Sequence, residues 1–235
     1  MCAMRLPGNQ RGQGLEERSG AGFIGLDAAS LGLSPACEDG DLHELSPAEW
    51  VRMTRQVEIA SRFGAIIERV AVRYGLLPST IAGFCSRRSG WGLDLSPTGI
   101  DGTRDYQRRE VMVKGRQSVL PPDGLGFQRG LMGLDFDRHP VVQEGDWRDP
   151  ERNMDAAFTL IADHRIALRR RKTLQGVGLL SASMSAFECS LGAVERAIRR
   201  GLDVDSPTSD RLSIHRGCGQ DVLARAAFFQ ARGWD

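Results

Sequence analysis

Apolar side chains recur every three or four residues from Trp50 onward, through Met53, Val57, Ala60, Phe63, Ile67, Val70 and Tyr74. That spacing keeps them on one helical face and predicts a single long amphipathic helix. Ser46 suits its N-cap, Pro47 its first helical position, and Glu49 the position that completes a capping box. Leu45 and Trp50 are spaced for a hydrophobic staple, and Gly75 is the natural stop. A second helix is predicted from about Pro78 to Ser89. The pattern then dissolves: residues 90–130 hold eight glycines and three prolines, with one short β-like run at Glu110–Val113. So long an irregular stretch is usually functional or disordered, and a small lobe with little regular structure is expected.

Helical periodicity returns at Asp149, a cap followed by Pro150. Met154, Ala157, Phe158, Ile161, Ala162, Arg165 and Leu168 trace the next helix. Its end, Arg169 to Lys172, sets cations at the negative pole of the helix dipole and reads as a solvated helix end. Further helices are expected near 176–189, 191–200 and 220–229, the last with Val222, Leu223, Ala226 and Phe229 on one face. Residues 1–44 are rich in Gly, Ser, Asp and Glu without any period, which reads as a flexible N-terminal tail. Residues 45–235 read as one mainly α domain.

Composition narrows the function classes. With 31 basic and 30 acidic residues among 235, the chain lacks the basic excess of a general nucleic-acid binder, and no nucleic-acid partner is expected. No apolar run approaches the roughly 20 residues that span a bilayer, so no membrane partner is expected either. The N-terminus has no apolar secretory core, which points to a cytoplasmic protein. Cys2, Cys37, Cys85, Cys189 and Cys218 are scattered without ligand spacing and read as free thiols. His43, His139, His164 and His215 form no paired motif, so neither metal nor cofactor is expected; His139 suits a structural turn before Pro140.

The stretch Ile81-Ala-Gly-Phe-Cys-Ser-Arg-Arg-Ser-Gly-Trp-Gly92 is an apolar helix ending in glycine. Downstream come Asp123-Gly-Leu-Gly-Phe-Gln-Arg-Gly-Leu-Met-Gly-Leu-Asp135, Ala186-Phe-Glu-Cys-Ser190 and Asp221-Val-Leu-Ala-Arg-Ala-Ala-Phe-Phe229. In this order and spacing the motifs, from about Trp50 to Trp234, resemble goose-type lysozymes and the related lytic transglycosylases. The resemblance implies a lysozyme-like α+β fold, a helical bundle with a small irregular or β lobe that forms a cleft. It also implies peptidoglycan as the ancestral substrate class.

The chemistry at the matched positions departs from that family. Where the family carries its catalytic glutamate, this chain has Arg88; the family's glutamine, tyrosine and asparagine positions hold Gly133, Phe187 and Glu188. Glycoside cleavage needs a proton donor for the leaving oxygen and negative charge beside the oxocarbenium-like transition state. Arginine, with a pKa above about 12, donates no proton at neutral pH, and its charge opposes that transition state. The expectation is a pseudoenzyme that binds a glycan or a protein partner. In the family, positions 88 and 188 face the same cleft, so an Arg88–Glu188 fork is expected to plug it.

Arg88, Glu188, Asp123, Trp91 and Phe127 are the candidate binding residues. Asp123 lies where goose-type enzymes place an acidic residue near the reacting water. The competing reading is an active muramidase or transglycosylase with Glu188 or Glu110 as a relocated acid. A neighbouring guanidinium disfavours it, because it favours the ionised carboxylate that cannot donate.

Overall fold

The computed structural model describes residues 46–105, 121–170, 174–202 and 218–235. Those residues form eight α-helices and one two-stranded antiparallel sheet. The N-terminal tail, the run at Glu110–Val113, His43, His215, Cys2 and Cys37 lie outside them.

The first helix, α1, spans Pro47–Ser61 and begins as its sequence predicts. The Ser46 amide donates to Glu49 Oε2 (2.9 Å) and the Glu49 amide donates to Ser46 Oγ (3.3 Å). The single helix expected to run on to Tyr74 is instead two. After Ser61 the chain turns through Arg62 and Phe63, and α2 restarts over Gly64–Tyr74. Phe63 leaves helical geometry (φ −111°, ψ 9°) and its ring stacks on Trp91 at 5.7 Å. Both segments continue one apolar stripe, so periodicity conceals the break; Gly64, a weak helix former, is its only local sign. Gly75 closes α2 in the left-handed conformation, the usual glycine C-cap.

Helix α3 (Pro78–Ser89) is the hub. Its residues from Ser79 to Ser86 are all buried, as are Arg88 and Ser89. It packs against α2 and against α8 (Cys218–Gln230). That approach requires Gly83: a Cβ there would lie 2.6 Å from the Ala226 amide nitrogen and 2.8 Å from the Val222 carbonyl. The strands β1 (Gln128–Arg129) and β2 (Leu134–Asp135) form a hairpin, with Gln128 opposite Asp135 and Arg129 opposite Leu134. The short α4 (Pro140–Gln143) and a 3-10 turn (Asp146–Arg148) lead into α5 (Pro150–Arg169), capped by Asp149 as expected. Helices α6 (Gly176–Cys189) and α7 (Leu191–Arg199) follow.

The main core runs from Met53 to Phe229 and includes Phe84, Trp91, Trp147 and Phe158. A smaller cluster joins Leu168 of α5, Leu179, Ala182 and Ala186 of α6, and Val194 of α7. Beneath α3 lies a polar node that the apolar pattern does not reveal. Ser86 Oγ donates to Gln56 Oε1 (2.6 Å) and accepts from Arg225 Nη1 (2.9 Å), although Gln56 is fully buried. Among the described residues no helix is long and apolar enough to cross a membrane.

Gly83→Ala is predicted to destabilise the protein by about 1–3 kcal/mol through overpacking against α8, although alanine is the better helix former. Urea denaturation measures this; unchanged or raised stability would show that the α3–α8 contact relaxes freely.

Candidate functional site

Three elements meet at Arg88. It lies in the last turn of α3, which Gly90 ends in the left-handed conformation (φ 56°, ψ 38°), its amide bonded to the Ser86 carbonyl. The second element is the tight turn between β1 and β2. Gly130 approaches α5 so closely that a Cβ would sit 2.3 Å from Asn153 Nδ2. Asn153 fastens that turn: its Oδ1 accepts from the Met132 amide (2.8 Å), and its Nδ2 donates to the carbonyls of Trp147 (3.0 Å) and Arg129 (3.4 Å). The carbonyls of Met132 and Gly133 are thereby aimed at the end of α3.

Arg88 Nε donates to the Met132 carbonyl at 3.0 Å, and Nη2 to the Gly133 carbonyl at 2.8 Å. Nη1 donates to Glu188 Oε1 from the end of α6, the third element. The expected Arg88–Glu188 pair is therefore present, and it is buried, with side-chain exposures of 8% and 6%. Gly133 makes room for it, because a Cβ at that position would lie 3.1 Å from Arg88 Nη2. The Phe187 ring lies 5.4 Å from the guanidinium carbon, within cation–π range. His139 stacks on that ring at 5.7 Å. Removing two ions from water is costly, and a buried pair holds only when its remaining donors and acceptors are satisfied. Here two backbone carbonyls supply that satisfaction.

His139, the N-cap of α4, has Nδ1 2.8 Å from the Asp135 amide nitrogen and 3.0 Å from the Asp135 carbonyl oxygen, so which of the two it bonds depends on its tautomer. Burial, and then the charges of Arg88 and Arg138, push its pKa down to about 4. Just beyond Glu188, Ser190 ends α6 and caps α7 with φ 99° and ψ 148°, a region that non-glycine residues rarely occupy. The backbone that delivers Glu188 is thus strained.

The remaining candidates lie elsewhere. The Asp123 carboxylate is engaged by Arg129: Nη2 donates to Oδ1 at 2.6 Å and Nη1 to Oδ2 at 2.5 Å. The Arg129 hydrogen bonds hold the Asp123 pKa below the usual carboxylate value. Arg129 itself is 1% exposed, donates through Nε to the Gly126 carbonyl, and lies over Phe136 and Trp147. Asp123 thus ties down the Gly-rich loop. Trp91 and Phe127, expected on a binding surface, are both core side chains, Trp91 in a left-handed backbone conformation and stacked on Phe63. Asp94 pairs with Arg52, and Glu110 lies outside the described residues. Cys85, Cys189 and Cys218 are free thiols.

Asn153, Arg129, Gln56 and Ser190 were not singled out by sequence. Asn153 offers one signal, a lone amide beside Met154 on the buried face of α5. Gln56 depends on Ser86, far along the chain, whereas Arg129 and Ser190 act through local turn geometry that carries no apolar pattern. In comparisons with known proteins, no family model matches the chain and no curated protein matches it.

Chemically, this arrangement clamps and fills. It places no free proton donor at position 88. Because the folded-state pKa of His139 is depressed from 6.5 to about 4, the unfolded chain binds more protons between those values. Its contribution to stability is fully present above pH 6.5 and is lost as pH falls toward 4. Half-buried His164 is shifted down chiefly by burial and acts in the same sense. Chemical denaturation across this range should show stability falling with acidification, and His139→Gln should reduce the slope. An unchanged slope would contradict the neutral, buried imidazole.

Proposed function

We propose that this chain is a degenerate lysozyme-like protein, related to goose-type lysozymes and lytic transglycosylases, that works without catalysis as a binding or protein-interaction module. The observation that carries the reading is the state of Arg88. The residue at the family's acid position is a buried guanidinium committed to Met132, Gly133 and Glu188. It has no proton to give at neutral pH and adds positive charge where the family reaction develops it. The Gly133 backbone supports the same reading, since it has the space that the plug needs. The partner in this reading is a protein or a peptidoglycan-type glycan, and the reading calls for no cofactor.

The relocated-acid alternative rests on Glu188, the carboxylate that reaches Arg88. Its Oε1 accepts from that guanidinium, a geometry suited to an ionised acceptor rather than a donor of protons. Incubation of purified protein with peptidoglycan, with glycan cleavage and pelleting read from the same tube, separates the readings. The prediction is no cleavage, with or without pelleting; pelleting would select the glycan as partner. Cleavage abolished by Glu188→Gln would overturn the proposal and make Glu188 the acid.

A further inference from the structure

The arginines at the end of α5, taken alone, read as a solvated helix end. The fold adds a second basic end beside the same small core. Leu168, between Arg165 and Arg169 on α5, shares its cluster with Leu179 of α6 and Val194 of α7, and Ile198 packs against that cluster beside Arg199. Arg165, Arg169 and Arg170 thus flank this cluster in sequence at the end of α5, and Arg196, Arg199 and Arg200 at the end of α7. Five of these six are exposed, and among the described residues none of the six has a carboxylate partner.

Arg165 shows what this crowding does. It is half-buried, and its pKa is pushed down first by burial and then by the charge of Arg169. Among the described residues, Arg165 and Arg169 of a chain of formal charge +1 thus repel one another, with no carboxylate paired to either. An anionic partner would relieve that repulsion.

Two large aliphatic side chains stand in the same region. Ile166 is 61% exposed between Arg165 and Arg169, and Leu202 is 42% exposed just past Arg200. Arginines interleaved with exposed aliphatics suit a surface that offers both negative headgroups and an acyl boundary. The exposed positions of 160–170 and 191–202 carry no aromatic ring, so the region lacks the stacking platform typical of single-stranded nucleic-acid sites.

We propose that the ends of α5 and α7 form a peripheral docking face for anionic lipid bilayers, with Arg169, Arg170, Arg199 and Arg200 at the headgroups and Ile166 and Leu202 dipping below them. This face is independent of the Arg88 site and of the function proposed for it.

The test is co-sedimentation of the full-length protein with vesicles of phosphatidylcholine alone and of phosphatidylcholine mixed with phosphatidylglycerol. Binding is expected only to the mixed vesicles, and it should weaken steeply as salt is raised. The paired reversal Arg169→Glu and Arg199→Glu should reduce it about tenfold or more. Ile166→Ser should reduce it by a smaller factor without changing its salt dependence. These positions are exposed, and an unchanged circular dichroism spectrum checks that the variants fold. Absence of binding at low salt, equal binding to both vesicle types, or indifference to the charge reversals would overturn the proposal. So would stronger binding to an oligonucleotide or to polyglutamate than to the mixed vesicles.

Discussion

A buried guanidinium that must be satisfied from every side is the constraint on which this structure turns. Arg88 has α3 behind it, the turn at Met132–Gly133 on one side and Glu188 of α6 on another. No one of these elements would accept the charge alone, because an uncompensated buried ion costs more than local packing returns. Together they turn an expensive group into a clamp. Each requirement then propagates outward. The turn must present two carbonyls, so Asn153 of α5 holds it and Gly130 leaves room for the Asn153 amide. Helix α6 must end where Glu188 reaches the pair, and Ser190 bears the unusual backbone geometry that turns the chain into α7.

The same logic explains why the residues at positions 88, 133, 187 and 188 belong together. Glycine at 133 leaves room for the Arg88 head group, and phenylalanine at 187 offers a ring face without a hydroxyl that would need its own partner. Glutamate at 188 supplies the opposing charge. Reversing one without the others would leave a buried charge unpaired or a contact too close. These four residues form one packed unit: Arg88 bonds to the Gly133 carbonyl and to Glu188 and lies against the Phe187 ring.

Much of the helical architecture was legible because its signals are local. The capping box at Ser46 and Glu49, the Asp149 cap and the glycine stop at Gly75 involve groups within a turn or two of one another. The break at Phe63 was not legible, because it follows the stacking of Phe63 on Trp91, twenty-eight positions away in sequence. At the site, the Arg88–Glu188 pairing followed from two opposite charges at positions that the resemblance sets face to face. The roles of Trp91, Phe127 and Asp123 did not follow. A large aromatic beside a glycine-rich loop has the same sequence pattern whether it lines a surface or fills a core. Whether a carboxylate is available depends on how its own loop folds, and Arg129, six residues on, folds back onto Asp123. The buried Gln56 eluded the apolar pattern because its Oε1 accepts from Ser86, far along the chain on another helix.

If the clamp at Arg88 organises the structure, its two charges must be strongly coupled. A double-mutant cycle with Arg88→Met and Glu188→Leu, followed by urea denaturation, measures that coupling directly. Each single substitution should cost about 3–5 kcal/mol, because it strands a buried charge, whereas the double variant should cost far less than the sum. Strictly additive costs, or single losses below the roughly 1 kcal/mol typical of exposed ion pairs, would contradict the account.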